Sequence, residues 1–184
     1  MLIRSTPARA TLALVTLGLA LAGCNSGRNG THPTPTGVAS PSPSPNKRAM
    51  AERDAAAAYS AMWQAMAKAG EIPDPDAPEL RQYATGDALA RIVGVLVTYR
   101  ETGVVSRGRP VDNPRATSAT PADDPTEVHL VDCGDSTNWT KHNKATGELI
   151  KDDPRGRRSI TAVVKVVDGT WKVTTFEVGE IGSC

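Results

Sequence analysis

The chain has 184 residues, with 21 basic and 20 acidic side chains and a net charge of +1 at pH 7. Nucleic-acid binding requires a concentrated basic face, and this near-neutral balance gives no support to it. The dense basic cluster "RGRR", Arg155 to Arg158, follows two aspartates. We interpret it as a solvated loop rather than as a phosphate or lipid-headgroup site.

The first 23 residues have the pattern of a secretory signal peptide. Arg4 and Arg9 precede an apolar stretch from Ala10 to Ala22, and no acidic residue lies among them. A membrane-spanning helix needs about 20 apolar residues, whereas polar residues follow Cys24 at once. The pattern therefore predicts a signal peptide over residues 1–23 rather than a spanning helix.

The residues "LAGC", Leu21 to Cys24, resemble the lipobox of bacterial lipoproteins. In that family the signal is cut before the cysteine, whose sulfur receives a diacylglyceryl group, and the new amino group can be acylated, for example with palmitate. Two or more acyl chains anchor a protein stably. The resemblance implies a lipid anchor on Cys24 at the extracytoplasmic face of a bacterial cell membrane. The alternative is an ordinary secretory signal with an incidental cysteine.

A tether is predicted over residues 24–46. After Cys24 this segment is rich in Pro, Ser, Thr and Gly, and Val38 is its one branched aliphatic residue. Such a composition buries too little apolar surface to fold, and alternating prolines favour an extended polyproline II conformation. We therefore expect a disordered, semi-rigid spacer between the membrane and a globular domain over residues 47–184.

The remaining cysteines predict a disulfide. With Cys24 carrying lipid, Cys133 and Cys184 are left in an exported chain, where the compartment is oxidising. Their bond would fasten a C-terminus that otherwise frays. A redox or catalytic thiol is disfavoured because there is no C-x-x-C pair and Cys184 is the last residue.

Helices are predicted for the first part of the domain. The alanine-rich segment after Asn46, a candidate N-cap, predicts a helix that ends at Gly70. A short helical turn is expected over 79–83, and Thr85 is a candidate cap for a second long helix. The first helix has one apolar and aromatic face, because these residues recur at helical spacing: Tyr59, Met62, Trp63 and Met66.

From Val104 onward the hydrophobic period is two, which is typical of strands. Weak strands are predicted over 104–111 and 114–120, a longer strand over 127–143, and a strong pair over 159–168 and 170–178. Asp168-Gly169 suits a two-residue type I′ turn. The resulting register pairs Val166 with Trp171, Val164 with Val173, Ala162 with Thr175, and Lys165 with Lys172 on a solvated face. Helices followed by an antiparallel sheet predict an α+β domain.

The helices and the final "VVDGTWKVTTFEV", together over Ala49 to Val178, resemble the nuclear transport factor 2-like superfamily. The resemblance implies two or three N-terminal helices packed on a curved antiparallel sheet that forms a cone with a pocket. The lipobox, the tether, "DCGDSTNW", "PRGRR" and "GEIGSC" together resemble small secreted lipoproteins of actinobacteria. That second resemblance implies this fold and compartment and no activity.

The superfamily contains isomerases, dehydratases and cyclases with an Asp or His base in the cone, and also binding or accessory modules without chemistry. Candidate bases here are His129, Asp132 and Asp135. Strand alternation places His129 and Asp132 on opposite faces, which disfavours a dyad. Ser136 lacks the G-x-S-x-G elbow of a nucleophile, and we interpret Asp135 and Ser136 as turn residues. The histidines do not suggest three or four convergent ligands, so no metal or other cofactor is predicted.

Aromatic residues are the best candidates for lining a pocket. They are Tyr59, Trp63, Tyr99 and Trp171; the alternative is core packing, because the chain has one Phe.

We expect a membrane-anchored, non-catalytic binding or accessory module of the cell envelope. Its partner would be an envelope protein or a small apolar ligand. The alternative is an isomerase- or cyclase-like enzyme that uses a carboxylate such as Asp132. Trp63 packed on Trp171 over a filled cone would favour the accessory module, whereas an open cavity with a carboxylate in its wall would favour the enzyme.

Overall fold

A computed structural model describes residues 46–184. The predicted signal peptide, the lipidation site at Cys24 and nearly all of the predicted tether lie outside the described residues. Within 46–184, no helix is long and apolar enough to cross a membrane.

The first helix, α1, spans Lys47–Glu71. The Asn46 side chain accepts a hydrogen bond of 3.3 Å from the backbone N–H of Ala49, so the predicted N-cap is confirmed. The predicted end at Gly70 is wrong, because the helix continues to Glu71 and Ile72 is extended. Ile72 precedes Pro73, and a residue before proline is disfavoured in the helical region.

Two further helices complete the helical layer. Helix α2 spans Pro78–Tyr83 and α3 spans Gly86–Thr102. Thr85 occupies the N-cap position of α3 with extended dihedrals, but its side chain makes no capping hydrogen bond. Gly103, in the left-handed conformation, ends α3.

In residues 46–184, six strands form two antiparallel sheets. The strands are β1 Val104–Arg107, β2 Arg115–Thr120, β3 Glu127–Asp135, β4 Thr140–Asn143, β5 Arg157–Val167 and β6 Thr170–Val178. One sheet has the order β2-β3-β5-β6, and β1 pairs with β4 in the other. The α+β prediction is confirmed: three helices pack against antiparallel sheets, without a closed barrel in residues 46–184, as in a nuclear transport factor 2-like fold.

The longer strand predicted over 127–143 is wrong, because it consists of two strands that belong to different sheets. After β3 the chain reverses in a turn, where the backbone N–H of Trp139 donates to the carbonyl of Ser136 at 3.0 Å. Strand β4 then pairs with β1. Within the turn, the backbone N–H of Thr137 donates to Oδ1 of Asp135 at 2.8 Å, as in other turns that begin at an aspartate.

The β5–β6 hairpin has the predicted turn. Asp168 and Gly169 both have positive φ, 51° and 75°, as a type I′ turn requires. The pairs Val166–Trp171, Val164–Val173 and Lys165–Lys172 are confirmed.

The predicted pairing of Ala162 with Thr175 is wrong. A bulge between Val163 and Val164 shifts the register by one residue, so that Ala162 faces Phe176. The shift places Phe176 on the core side of the sheet, where it is 6% exposed.

The core lies between the helices and the inner face of the larger sheet. Alternation along β3 turns Val128 and Leu130 inward, and both are fully buried. The helices contribute Tyr59 and Met62 from α1 and Ile92 and Leu96 from α3.

Cys133 and Cys184 form the predicted disulfide, with Cα atoms 5.9 Å apart and a sequence separation of 51. The C-terminal segment follows the start of β5. The N–H of Gly182 donates to the carbonyl of Arg157 at 2.7 Å, and the N–H of Ser159 donates to Oγ of Ser183 at 2.8 Å.

Candidate ligand-binding site

A cavity of about 380 Å³ lies between α1, α3 and the end of β3. Val111 at its edge is 63% exposed, so the cavity opens to solvent. Its wall is mostly apolar. The apolar lining comprises Trp63, Met66, Val95, Tyr99, Pro110, Val111, Trp139, Ile160 and Val178.

Helical spacing aligns the side chains of this wall. Val95 and Tyr99 lie one turn apart on α3 and therefore project to the same side. On the opposite wall Gly134 leaves space for Ile160: a Cβ on Gly134 would lie 2.8 Å from Cδ1 of Ile160. A side chain on Gly134 would therefore displace part of the cavity wall.

Trp63 joins the cavity to the core. Its ring makes edge-on contacts with the rings of Tyr59, Trp139 and Phe176, at centroid distances of 6.1, 6.2 and 5.2 Å. Such edge-to-face contacts hold an aromatic side chain in one orientation. The tryptophan is thus a fixed part of the cavity wall.

The structure separates the four aromatic residues considered for the pocket. Trp63 and Tyr99 line the cavity. Tyr59 is fully buried behind the wall, and Trp171 packs at the hairpin opposite Val166, away from the cavity. Trp139, which is not one of these four residues, also lines the cavity, from the turn before β4.

Asp132 lies in the cavity wall and is 7% exposed. Its Oδ2 accepts a hydrogen bond of 3.0 Å from the hydroxyl of Tyr59, and its Oδ1 accepts one of 2.8 Å from the backbone N–H of Asn113. Burial, and then the charge of Asp132, raise the pKa of Tyr59 far above its ordinary range. The phenol therefore stays protonated and remains a donor to the carboxylate.

His129 lies on the opposite face of β3, as strand alternation predicts. Its Nε2 is 2.8 Å from Oε1 of Glu127 on the exposed side of the sheet. Hydrogen bonds from Lys165 and then from His129 lower the pKa of Glu127 below its usual range. His129 therefore takes part in a surface charge cluster and not in the cavity.

Asp135 makes the expected turn bond, whereas the side-chain bonds of Ser136 reach Gly156, 20 positions along the chain. Oδ1 of Asp135 accepts from the N–H of Thr137 at 2.8 Å. Hydrogen bonding to the side chain and then to the backbone of Thr137 lowers the pKa of Asp135. Ser136 lines the cavity, but its hydroxyl donates to the carbonyl of Gly156 at 3.1 Å and accepts from the N–H of Gly156 at 3.2 Å. This pair of bonds fastens the loop before β5 to the turn after β3.

The loop fastened in this way contributes charge to the cavity. Asp153 accepts a hydrogen bond from Lys141, whose Nζ also lies 5.8 Å from the centre of the Tyr99 ring. Burial favours the neutral amine, but the bond to Asp153, the charge of Asp153 and the interactions with Tyr99 together outweigh it and raise the pKa of Lys141. This ion pair forms one part of the cavity wall.

The solvated-loop interpretation of "RGRR" is wrong for two of its arginines. Arg155 and Arg158 line the cavity and are half-buried. Arg157 is exposed and donates to Sγ of Cys133 at 3.1 and 3.3 Å, outside the cavity. Strand alternation explains why Arg157 and Arg158 point to opposite sides.

Within the described part of the chain, no group of three or more His, Cys, Asp or Glu side chains is placed to hold a metal ion.

No family model matches the chain, and no curated protein matches it significantly. One similar solved structure is the crystal structure of the intermembrane space region of the chloroplast protein ARC6. The identity is 14% and the TM-score 0.48, over 70% of this chain and 95% of that chain.

Proposed function

We propose that the domain is a non-catalytic module that binds a small, largely apolar molecule. We further propose that a lipid on Cys24 holds it at the extracytoplasmic face of a bacterial cell membrane. The observation that carries the binding proposal is the open apolar cavity. Its volume of about 380 Å³ lies within the range of small-molecule sites. Its lining, an apolar wall with a few polar groups, is also typical of such sites.

The shape of this site favours a small molecule over an envelope protein as the partner. A concave cavity between helices and a sheet encloses a small ligand, whereas a protein partner needs a broad exposed surface. Trp63 packs on Trp139 and Phe176 beside the cavity, and the cone is not filled by tryptophan packing.

An open cavity with a carboxylate in its wall is the arrangement expected of the enzyme rather than of the accessory module. The contacts of Asp132 nevertheless favour binding over catalysis. Each carboxylate oxygen already accepts a hydrogen bond from the protein, one from Tyr59 and one from Asn113. These bonds join α1 and the loop before β2 to β3, which is a structural role. A general base must also come within hydrogen-bond distance of a substrate proton, and Asp132 is only 7% exposed.

An isomerase- or cyclase-like enzyme is the second candidate, and the position of Asp132 in an open, partly apolar cavity is the observation that favours it. Asp132→Asn tests it. The amide oxygen can still accept from Asn113, and the amide nitrogen can donate to the Tyr59 oxygen. Small molecules extracted from the purified protein would be returned to both forms and followed by nuclear magnetic resonance. Conversion by the wild type alone would establish catalysis, and no conversion by either form would support a binding module.

Binding is tested with Nile red, a neutral apolar dye that fluoresces in apolar surroundings. Thr98→Trp places a large ring on the cavity wall, and we expect it to weaken dye binding by about tenfold or more. Thr102→Trp is the matched control. Both threonines are exposed on α3 and donate to the carbonyl four residues earlier, but Thr102 lies outside the cavity. No saturable binding to the wild type, or equal loss in both variants, would contradict the proposal.

The anchor is tested by Cys24→Ser in a bacterial host. We expect the wild type in the membrane fraction and the variant in an uncleaved or soluble form, because serine lacks the sulfur that receives the lipid. A variant that partitions and migrates like the wild type would exclude lipidation at Cys24.

A further inference from the structure

We propose that the ligand of this cavity carries an anionic group, a carboxylate or a phosphate, that binds between Arg155 and Arg158. The inference rests on the proposed function and adds the chemical class of the ligand: an apolar body with a negatively charged head.

The first observation is the distribution of charge. Three acidic residues line the cavity, and each has a partner: Asp112 accepts from Ser60, Asp132 accepts from Tyr59 and Asn113, and Asp153 accepts from Lys141. Within residues 46–184, neither Arg155 nor Arg158 has a carboxylate oxygen within 4.0 Å of its guanidinium. With Lys141, Arg155 and Arg158, the formal charges of the lining sum to zero. The difference lies in the partners: the three carboxylates accept hydrogen bonds from the protein, whereas the two guanidinium groups have no ion pair with a described residue.

The second observation is that donors on this wall lack acceptors. Each guanidinium makes one long bond to a carbonyl, from Arg155 to Thr137 at 3.3 Å and from Arg158 to Pro154 at 3.4 Å. Nε of both arginines and Nε1 of Trp139 are buried without a hydrogen-bond partner in the described residues. These three atoms are covered by protein, but a guanidinium has five N–H groups, and each of these two makes one hydrogen bond to the described part of the chain. The remaining N–H groups are available to an occupant of the cavity that accepts hydrogen bonds.

Guanidinium chemistry identifies that occupant as an anion. A half-buried positive charge without a partner is energetically costly. The planar guanidinium group has paired N–H donors that match the paired oxygens of a carboxylate or phosphate. The remaining wall is apolar and aromatic, formed by residues such as Trp63, Val95 and Ile160. A small amphiphile matches both features, because its anionic head can bind the two arginines and its apolar body can contact the rest of the wall.

Competition against Nile red tests this with the whole lipid-free domain. The competitors are decanoate, decyl phosphate and decan-1-ol, which share an alkyl chain and differ in the head. We expect decanoate or decyl phosphate to compete about tenfold or more better than decan-1-ol. The ranking of the two anions distinguishes a carboxylate from a phosphate ligand. Added salt should weaken the competition by the two anions and leave the competition by decan-1-ol unchanged.

Arg155→Gln and Arg158→Gln should each remove most of the advantage of the anions while Nile red still binds. Arg155→Lys keeps the positive charge but loses the paired, coplanar N–H donors, so it should remove part of the advantage of the anions. Arg157→Gln is the matched control, because Arg157 is exposed on the other side of β5. Circular dichroism would establish that each variant is folded. The effect of salt on competition by the anions is measured on the wild type alone, so it does not depend on the folding of any variant.

The outcomes separate the two proposals. If Nile red binds but the anions and the alcohol compete equally, or if Arg157→Gln has the same effect as the other two variants, the anion site is wrong and the binding function stands. If Nile red does not bind to the wild type, the proposed function fails and the anion site fails with it.

Discussion

Tyr59 on α1 donates a 3.0 Å hydrogen bond to Oδ2 of Asp132 on β3, across 73 positions of sequence and beneath the cavity wall. The same carboxylate accepts a bond from Asn113 in the loop before β2. A hydrogen bond to a buried charged group stabilises a fold more than one between neutral groups. The Tyr59–Asp132 pair therefore joins three segments that enclose the cavity.

The first prediction concerns this pair. Tyr59→Phe should lower the free energy of unfolding by about 2 kcal/mol, because the buried carboxylate loses one of its two donors. Asp132→Ala should cost more, since it leaves both Tyr59 and Asn113 without an acceptor. Urea unfolding of the two single variants and the double variant measures the coupling. Additive losses would mean that the hydrogen bond contributes nothing to stability.

The second prediction is a loss of stability at alkaline pH that depends on Tyr59. Its pKa is raised by burial in the folded state, whereas an unfolded tyrosine ionises near pH 10. The stabilisation is thus complete below about pH 10 and declines as the pH rises towards the folded pKa, because only the unfolded state releases the proton.

Urea unfolding over a series of pH values measures this decline. In Tyr59→Phe the slope of stability against pH above about pH 10 should be smaller by up to about 1.4 kcal/mol per pH unit. Other groups titrate equally in both proteins. Identical slopes would show that the Tyr59 hydroxyl ionises as readily in the folded state as in the unfolded chain.

The third prediction contrasts two helical glycines. A Cβ on Gly70 would lie 2.3 Å from Oγ of buried Ser106, whereas one on Gly94 would meet nothing within 4 Å. Gly94→Ala should therefore stabilise the domain by about 0.5–1 kcal/mol through helix propensity. Gly70→Ala should destabilise it by about 1 kcal/mol, because the overpacking exceeds that gain.

The double variant Gly70→Ala/Ser106→Ala isolates the cause. Removing Oγ of Ser106 leaves a Cβ–Cβ distance of 3.3 Å, so most of the clash disappears and the loss at Gly70 should be recovered. Thermal unfolding of the wild type, Gly70→Ala, Gly94→Ala and the double variant measures these differences in stability. A Gly70→Ala variant at least as stable as Gly94→Ala would refute the close approach of α1 to β1.

The fourth prediction concerns the disulfide. Because it closes a loop with a sequence separation of 51, replacing Cys133 and Cys184 by alanine should lower the free energy of unfolding by about 4 kcal/mol. Hydrogen exchange should also accelerate at Gly182 and Ser159, whose N–H groups bond across the C-terminal segment. Mass spectrometry of unreduced peptides from protein isolated from its native host provides the direct check, and two free thiols there would exclude the bond.

Several features of this domain follow from the sequence because their causes are local. Helical spacing placed Tyr59 and Trp63 on one buried face of α1, and Asp168-Gly169 defined the hairpin turn, since only neighbouring residues decide these conformations. Alternation along β3 likewise separated His129 from Asp132. The Cys133–Cys184 bond is not local, but it is predicted by counting the thiols that remain when Cys24 is assigned to a lipid in a chain expected to be exported.

The tertiary structure alone decided the features that need contacts between distant segments. The bulge at Val163 and Val164 turns Phe176 towards Trp63, and periodicity within one strand contains no information on such a register shift. The sequence alone favours a solvated loop for Arg155 and Arg158. It does not show that Ser136 binds Gly156, which lies between them, and so holds this loop beside the cavity. Charge and polarity are properties of a residue, but whether they face solvent or a cavity depends on packing between elements far apart in the chain.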